Sequence, residues 1–114
     1  MAIFNAETST QKSSINKYVE RGIKAPYVYS QVSTLGGVAR ASVMIKVSLD
    51  PKSKWANGIL HNSRYAMFSV ERNGTLEHFS GLPHGRLGKK MRRTTVKSLK
   101  EAVEKINRYL AKAK

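Results

Sequence analysis

The stretch from Ala39 to Leu49, ARASVMIKVSL, decides how this chain folds, because apolar and mostly polar side chains alternate along it. Alanine, valine, isoleucine and leucine hold the odd positions, and arginine, serine, methionine and lysine hold the even ones. Successive side chains of a β-strand point to opposite faces, so this alternation predicts an amphipathic strand with one buried face. The chain therefore needs a sheet that is covered on one side.

A second strand is predicted immediately before this stretch. Residues 27–34 are rich in β-branched and aromatic side chains, which favour strands. The intervening Leu-Gly-Gly of residues 35–37 predicts a hairpin turn between the two strands.

Further strands are predicted in the second half of the chain. Residues 65–71 and 75–80 flank Asn73-Gly74, which is the strongest short hairpin signal in the sequence. Residues 91–96 (MRRTTV) predict a short fifth strand. Residues 50–57 and the glycine-rich 81–88 are predicted to be loops.

The sequence predicts one helix near each end of the chain. Ser98 and Glu101 have the spacing of a capping box, and an apolar stripe follows them at three- and four-residue steps. This stripe consists of Leu99, Ala102, Val103, Ile106 and Leu110. A shorter helix is predicted over residues 15–21, capped by Ser13 or Ser14.

Together these elements predict an α+β fold. We expect a four- or five-stranded antiparallel sheet with one face covered by the C-terminal amphipathic helix, plus the short N-terminal helix. Residues 1–12 lack apolar periodicity and are expected to form a flexible arm, followed by a single domain over residues 13–114. The uncovered face of the sheet is expected to be wet.

Charge gives the clearest indication of function. The chain carries a formal net charge of +14 in 114 residues. Residues 85–114 contain eleven Lys or Arg and two Glu, a net charge of +9. A polyanion relieves the self-repulsion of such a domain, and nucleic acid is the commonest one because neutralised phosphates release condensed counterions.

A dense basic cluster lies beside Gly81, Gly85 and Gly88. It consists of Arg86, Lys89, Lys90, Arg92 and Arg93. We interpret it as a phosphate-gripping loop or β-ribbon, since arginine can clamp two phosphate oxygens at once; the alternative is a solvated charge run. The cations of the last helix either contact phosphate or only complement the helix dipole.

Other candidate contacts lie on the sheet and in the loop at 50–57. The basic candidates are Arg40, Lys46, Lys52, Lys54 and Lys97. The aromatic candidates for base stacking are Trp55, Tyr27, Tyr29 and Tyr65. Packing inside the sheet is the competing interpretation for the tyrosines.

Nothing in the sequence predicts a metal, a cofactor or a catalytic centre. The chain has no cysteine, and its three histidines show neither helical i,i+4 spacing nor the His-x-His spacing of a strand. A small nuclease or nicking enzyme using His78 or His84 is the enzymatic alternative. Absent cysteines fit a reducing compartment, so we expect a cytoplasmic protein, nucleoid-associated or viral, without membrane contact.

The sequence therefore predicts a small basic, non-catalytic protein that grips the phosphate backbone of DNA with limited sequence specificity. Single-stranded DNA is slightly favoured over duplex. An RNA- or ribosome-associated protein, the nuclease, and a protein that binds an acidic surface such as a polymerase subunit are the alternatives. A phage or bacterial setting is expected, with homodimerisation through edge strands as a further option.

Overall fold

The computed structural model describes residues 2–48, 54–56, 59–61, 65–82 and 86–113. Within them, two helices enclose seven strands in chain order, and a 3-10 turn spans Val38–Arg40. The helices are α1 (Ser9–Gly22) and α2 (Leu99–Ala113). The strands are β1 (Tyr27–Ser33), β2 (Ser42–Ser48), β3 (Lys54–Ala56), β4 (Ile59–His61), β5 (Tyr65–Glu71), β6 (Thr75–Leu82) and β7 (Arg86–Thr95).

The main sheet has five antiparallel strands in the order β1-β2-β5-β6-β7, which confirms the predicted fold class. Each strand pairs with its neighbour along this series, and only the separate β3–β4 ribbon interrupts the meander. The β1–β2 register runs from Tyr27 opposite Ser48 to Ser33 opposite Ser42. Strands β1 and β7 are therefore the edges of the sheet.

One face of the sheet, here called the helix-covered face, carries the core. The alternation in β2 is confirmed, since Val43, Ile45 and Val47 are fully buried there. From β5 the core takes Ala66, Phe68 and Val70, and from the helices it takes Ile15, Val19, Ala102, Val103, Ile106 and Leu110. Both helices thus cover the same face, where the apolar stripe of α2 was expected.

The N-terminal helix is longer than predicted and is capped by a different residue. Thr8 is the N-cap: its Oγ1 accepts the Gln11 N–H at 3.1 Å, and Gln11 Oε1 accepts the Thr8 N–H at 3.0 Å. This capping box replaces the predicted Ser13 or Ser14 cap. The prediction of a flexible arm over residues 1–12 is also wrong, because Phe4 and Ala6 are buried in the core.

Helix α2 begins as predicted and is tied to the end of α1. Ser98 Oγ accepts the Glu101 N–H at 3.1 Å, which satisfies one of the open amides of the first turn. Asn107 accepts the Lys24 N–H at 2.8 Å and donates to the Gly22 carbonyl at 2.9 Å. One amide side chain therefore satisfies both the donor and the acceptor left open at the end of α1.

Three local expectations need correction. Residues 54–56 form strand β3 of the small ribbon, whereas residues 50–57 were predicted to be a loop; residues 50–53 and 57 lie outside the described part. Glycine-rich residues 81–82 and 86–88 belong to β6 and β7, so the fifth strand is longer than the predicted 91–96. The second face of the sheet is not uniformly wet, because Met67, Ser69 and Glu77 on it are buried.

Neither helix in the described part of the chain has the length and apolar character needed to cross a bilayer.

Candidate nucleic-acid interface

A groove of about 430 Å³ lies between β7 and α2 on the helix-covered face, and we call it the β7–α2 groove. Five cationic residues border it, and four of them lie on its two sides, namely Arg92, Lys105, Arg108 and Lys112. The fifth, Arg93, pairs with Glu77 and so belongs to the second face of the sheet. No carboxylate is among the described residues of its lining. The groove therefore concentrates positive charge at one edge of the sheet.

Helical periodicity brings the cations of α2 to one flank. Lys105, Arg108 and Lys112 are separated by three and four residues, so they follow one another along the side of the helix that faces β7. Lys105 Nζ also donates to the Thr95 carbonyl at 3.3 Å, which links the helix to the end of β7. The flank of α2 is thus one rim of the groove.

Strand β7 supplies the opposite rim. Arg92 pairs with His78 of β6, whereas Lys90 pairs with the next β6 residue, Phe79, so β7 carries an irregularity of one residue at Met91. Bulges of this kind re-aim the side chains that follow them. Arg92 consequently belongs to the same face as His78 and Phe68, beside α2.

Three aromatic rings lie together along the groove. His78 stacks on its cross-strand neighbour Phe68, with ring centroids 4.9 Å apart and planes 19° apart. Tyr109 meets His78 at 4.3 Å and presents its ring edge-on to Phe68 at 5.7 Å. Phe68 is buried, while Tyr109 is 39% exposed, so the cluster leads from the core to the groove surface.

The environment of His78 favours the neutral imidazole. Burial lowers the pKa of His78 below its ordinary value of 6.5, and the nearby positive charge of Arg92 lowers it further. A neutral imidazole has one N–H donor and one nitrogen acceptor. At neutral pH the charge of the groove therefore comes from its Lys and Arg side chains.

Among the described residues, two weak ion pairs involve the cations of the groove. Lys105 Nζ lies 3.8 Å from Glu101 Oε1, and Arg108 Nη2 lies 4.0 Å from Glu104 Oε2, both one helical turn apart. Surface pairs of this kind contribute about 0.3–0.5 kcal/mol, so a phosphate can compete for the cations. Among the described residues, neither Arg92 nor Lys112 has a carboxylate within 4.0 Å.

The predicted basic cluster lies on an edge strand and reaches the groove at its C-terminal end. Arg92 faces the groove, while Arg93 borders it from the second face, where its cross-strand partner is Glu77. Arg86, Lys89 and Lys90 precede them on the same strand. The sequence predicted either a loop or a β-ribbon for this cluster, and its residues belong to a β-strand. Lys97 is exposed in the connection between β7 and α2.

Other predicted residues lie on the second face of the sheet, away from the groove. Tyr29 pairs with Lys46, and Tyr27 pairs with Ser48, so both tyrosines share a face with that lysine. Tyr27 is exposed and Tyr29 half-buried. Arg40 lines a different cleft of about 350 Å³ with Ser69, Arg72 and other residues near the start of β2.

The remaining predicted residues are placed by backbone alone or lie outside the described part. Lys54 and Trp55 belong to β3, and Tyr65 pairs with Ser48 at the start of β5. Lys52 and His84 lie outside the described residues. Among the described residues, no group of three or more His, Asp or Glu side chains could hold a metal ion.

Sequence patterns indicate neither Tyr109 nor His78 as a contact for nucleic acid, and they indicate His78 only as a possible nuclease residue. The four-residue step from Lys105 to Tyr109 could have placed this tyrosine on the basic flank of α2. The cross-strand register that adds His78 has no signal in the sequence.

No protein-family model, curated protein or solved structure matches this chain.

Proposed function

We propose that this protein binds nucleic acid without catalysis, by gripping the phosphate backbone of DNA, with single strands slightly favoured over duplex. The observation that carries the proposal is the β7–α2 groove, whose two sides carry four cations, with no carboxylate among the described residues of its lining. Phosphate contacts of this kind supply affinity with little sequence information.

The two rims of the groove suit an extended polyanion. Arg92 stands on the strand, and Lys105, Arg108 and Lys112 stand on the helix, so phosphates can be neutralised from both sides. Guanidinium groups bind phosphate in a two-pronged way, while lysines act as point charges on flexible stems. Limited specificity follows, because every nucleic acid presents the same phosphates.

A salt titration of binding tests the proposal. Labelled single-stranded DNA, duplex DNA and RNA of equal phosphate count are titrated with the protein over a series of salt concentrations. We expect log affinity to fall linearly with log salt, with a slope that reflects about four to seven phosphate contacts. Affinity that hardly changes with salt would favour an acidic protein partner instead, and tightest binding to RNA would favour the RNA-associated alternative.

Two charge-matched variants locate the contact surface. The groove variant combines Arg92→Gln, Arg108→Gln and Lys112→Gln, and its control removes three cations from α1 through Lys12→Gln, Lys17→Gln and Arg21→Gln. Each lost phosphate contact should reduce the salt slope by about one. We therefore expect a smaller slope in the groove variant than in the control; equal slopes would place the contacts elsewhere.

The same samples examine the nuclease alternative, since His78 lies in the groove. We expect DNA incubated with the protein and magnesium, manganese or zinc to stay intact. Cleavage that is lost in His78→Ala would replace the binding proposal with a nuclease.

A further inference from the structure

We infer that the β7–α2 groove accepts an unstacked nucleobase against Tyr109, so that its preferred ligand is single-stranded. This inference rests on the proposed function. It assigns a role to the aromatic cluster of Phe68, His78 and Tyr109, because phosphate binding alone gives these rings no role.

The aromatic cluster lies where a base can reach it. Tyr109 is 39% exposed although it contacts both His78 and Phe68, so part of its ring remains accessible from the groove. The ring contacts beneath it fix its orientation from the core side. A stacking platform that is already ordered loses little side-chain entropy when a base covers it.

The cations around the cluster suit the sugar-phosphate chain of the same strand. Arg108 and Lys112 lie one and three residues from Tyr109 on α2, and Arg92 pairs with His78 on the neighbouring strand of the sheet. Aromatic rings between cationic rims are the arrangement that single-strand binders use, because bases stack while phosphates are neutralised. The groove volume of about 430 Å³ is also within the range of small-molecule sites, about 300–1,000 Å³.

The chemistry of the groove favours single strands over duplex. Bases in a duplex are paired and stacked on both faces, so a base must leave the stack before an aromatic side chain can cover it. Phosphates are accessible in both forms. The preference for single-stranded over duplex DNA should therefore come from Tyr109, while the salt-dependent affinity comes from the cations.

The test compares a thymidine oligonucleotide with an abasic oligonucleotide of equal length, which has the same phosphates and no bases. We expect the thymidine strand to bind about 5- to 150-fold more tightly, the usual effect of one base–aromatic stack. Tyr109→Ala should remove this difference, while Tyr109→Phe should retain it. Tyr18→Ala is the matched control, since Tyr18 is 44% exposed on α1 between Lys17 and Arg21.

A measurement on the unaltered protein makes the test independent of any change in folding. Ring-proton NMR signals of Tyr109 and His78 should move upfield on saturation with the thymidine strand and stay in place with the abasic strand. Equal, salt-dependent binding of both strands would overturn this inference and leave the proposed function standing. A thymidine preference that survives Tyr109→Ala would overturn it too, whereas failure of both strands to bind would remove the proposed function itself.

Discussion

At the scale of single residues, Gly74 shows how tightly the β5–β6 turn is built. Its φ of +95° lies in the left-handed region, and a Cβ there would come within 2.6 Å of the Val96 carbonyl oxygen. The Val96 N–H also donates to the Gly74 carbonyl at 2.7 Å. The turn thus holds Val96, which connects the last strand to α2. Only glycine allows both the positive φ and the close approach of the Val96 carbonyl.

We expect Gly74→Ala to destabilise the protein by more than the backbone strain alone, which costs about 1–3 kcal/mol. Gly37→Ala is the matched control, because Gly37 has a φ of +105° but no atom within 4 Å of the added Cβ. Urea unfolding of both variants measures the difference. Equal losses would mean that the Val96 carbonyl moves aside without cost.

His78 makes the stability of the protein depend on pH. Burial and Arg92 lower the pKa of His78 in the folded protein, while the unfolded chain titrates near 6.5. As the pH falls through 6.5, the unfolded chain binds the proton first, so the free energy of unfolding decreases until the pH passes the folded pKa. His78→Phe keeps a ring and removes the proton site, so its free energy of unfolding should decline less.

Urea unfolding at a series of pH values measures these declines, and NMR titration of the His78 ring gives its pKa directly. A pKa at or above 6.5, or declines of equal size in the two proteins, would contradict this assignment.

At the scale of elements, the sequence predicts strands and helices whose apolar residues repeat with a regular period. It misses the parts of elements that lack such a repeat. The alternation in β2 and the stripe of α2 follow from burial on one side, and both are confirmed. The start of α1 was missed because Thr8 and Gln11 form a capping box ahead of the apolar residues. Strand β7 was predicted too short because Arg86 to Arg93 have too few apolar residues to show alternation.

The groove itself was beyond sequence analysis for a similar reason. It joins β6, β7 and α2, and a sequence gives neither the register between strands nor the side on which a helix packs. The sequence shows that these residues are charged. It does not show that they lie beside His78 and Tyr109 in the folded protein.

We expect Ile106→Asp to unfold the protein. Ile106 is 1% exposed, and an unpaired carboxylate there costs several kcal/mol against a typical total stability of about 5–15 kcal/mol. Ala111→Asp adds the same charge at an exposed position of α2 and should leave the fold intact. Circular dichroism distinguishes the two, and a folded Ile106→Asp protein would show that the helix can leave its place on the sheet.

At the scale of the whole molecule, the net charge of +14 opposes the folded state. Added salt screens this repulsion, so we expect the Tm to rise from low to moderate sodium chloride concentration. A gain of about 1 kcal/mol would raise the Tm by roughly 4 °C in a domain of this size. The groove variant, with three fewer charges, should show a smaller rise in calorimetry; a Tm that falls with salt would mean that ion pairs outweigh the repulsion.

The contact of Asn107 with Gly22 and Lys24 has a consequence for how the protein is made. It joins positions 83 and 85 residues apart, while the strands of the main sheet pair in the order of their synthesis. Adjacent hairpins can therefore form as the chain leaves the ribosome, but the end of α1 stays open until residue 107 emerges. The apolar side of the sheet lacks its second cover for the same interval, so α2 is the element that completes this fold.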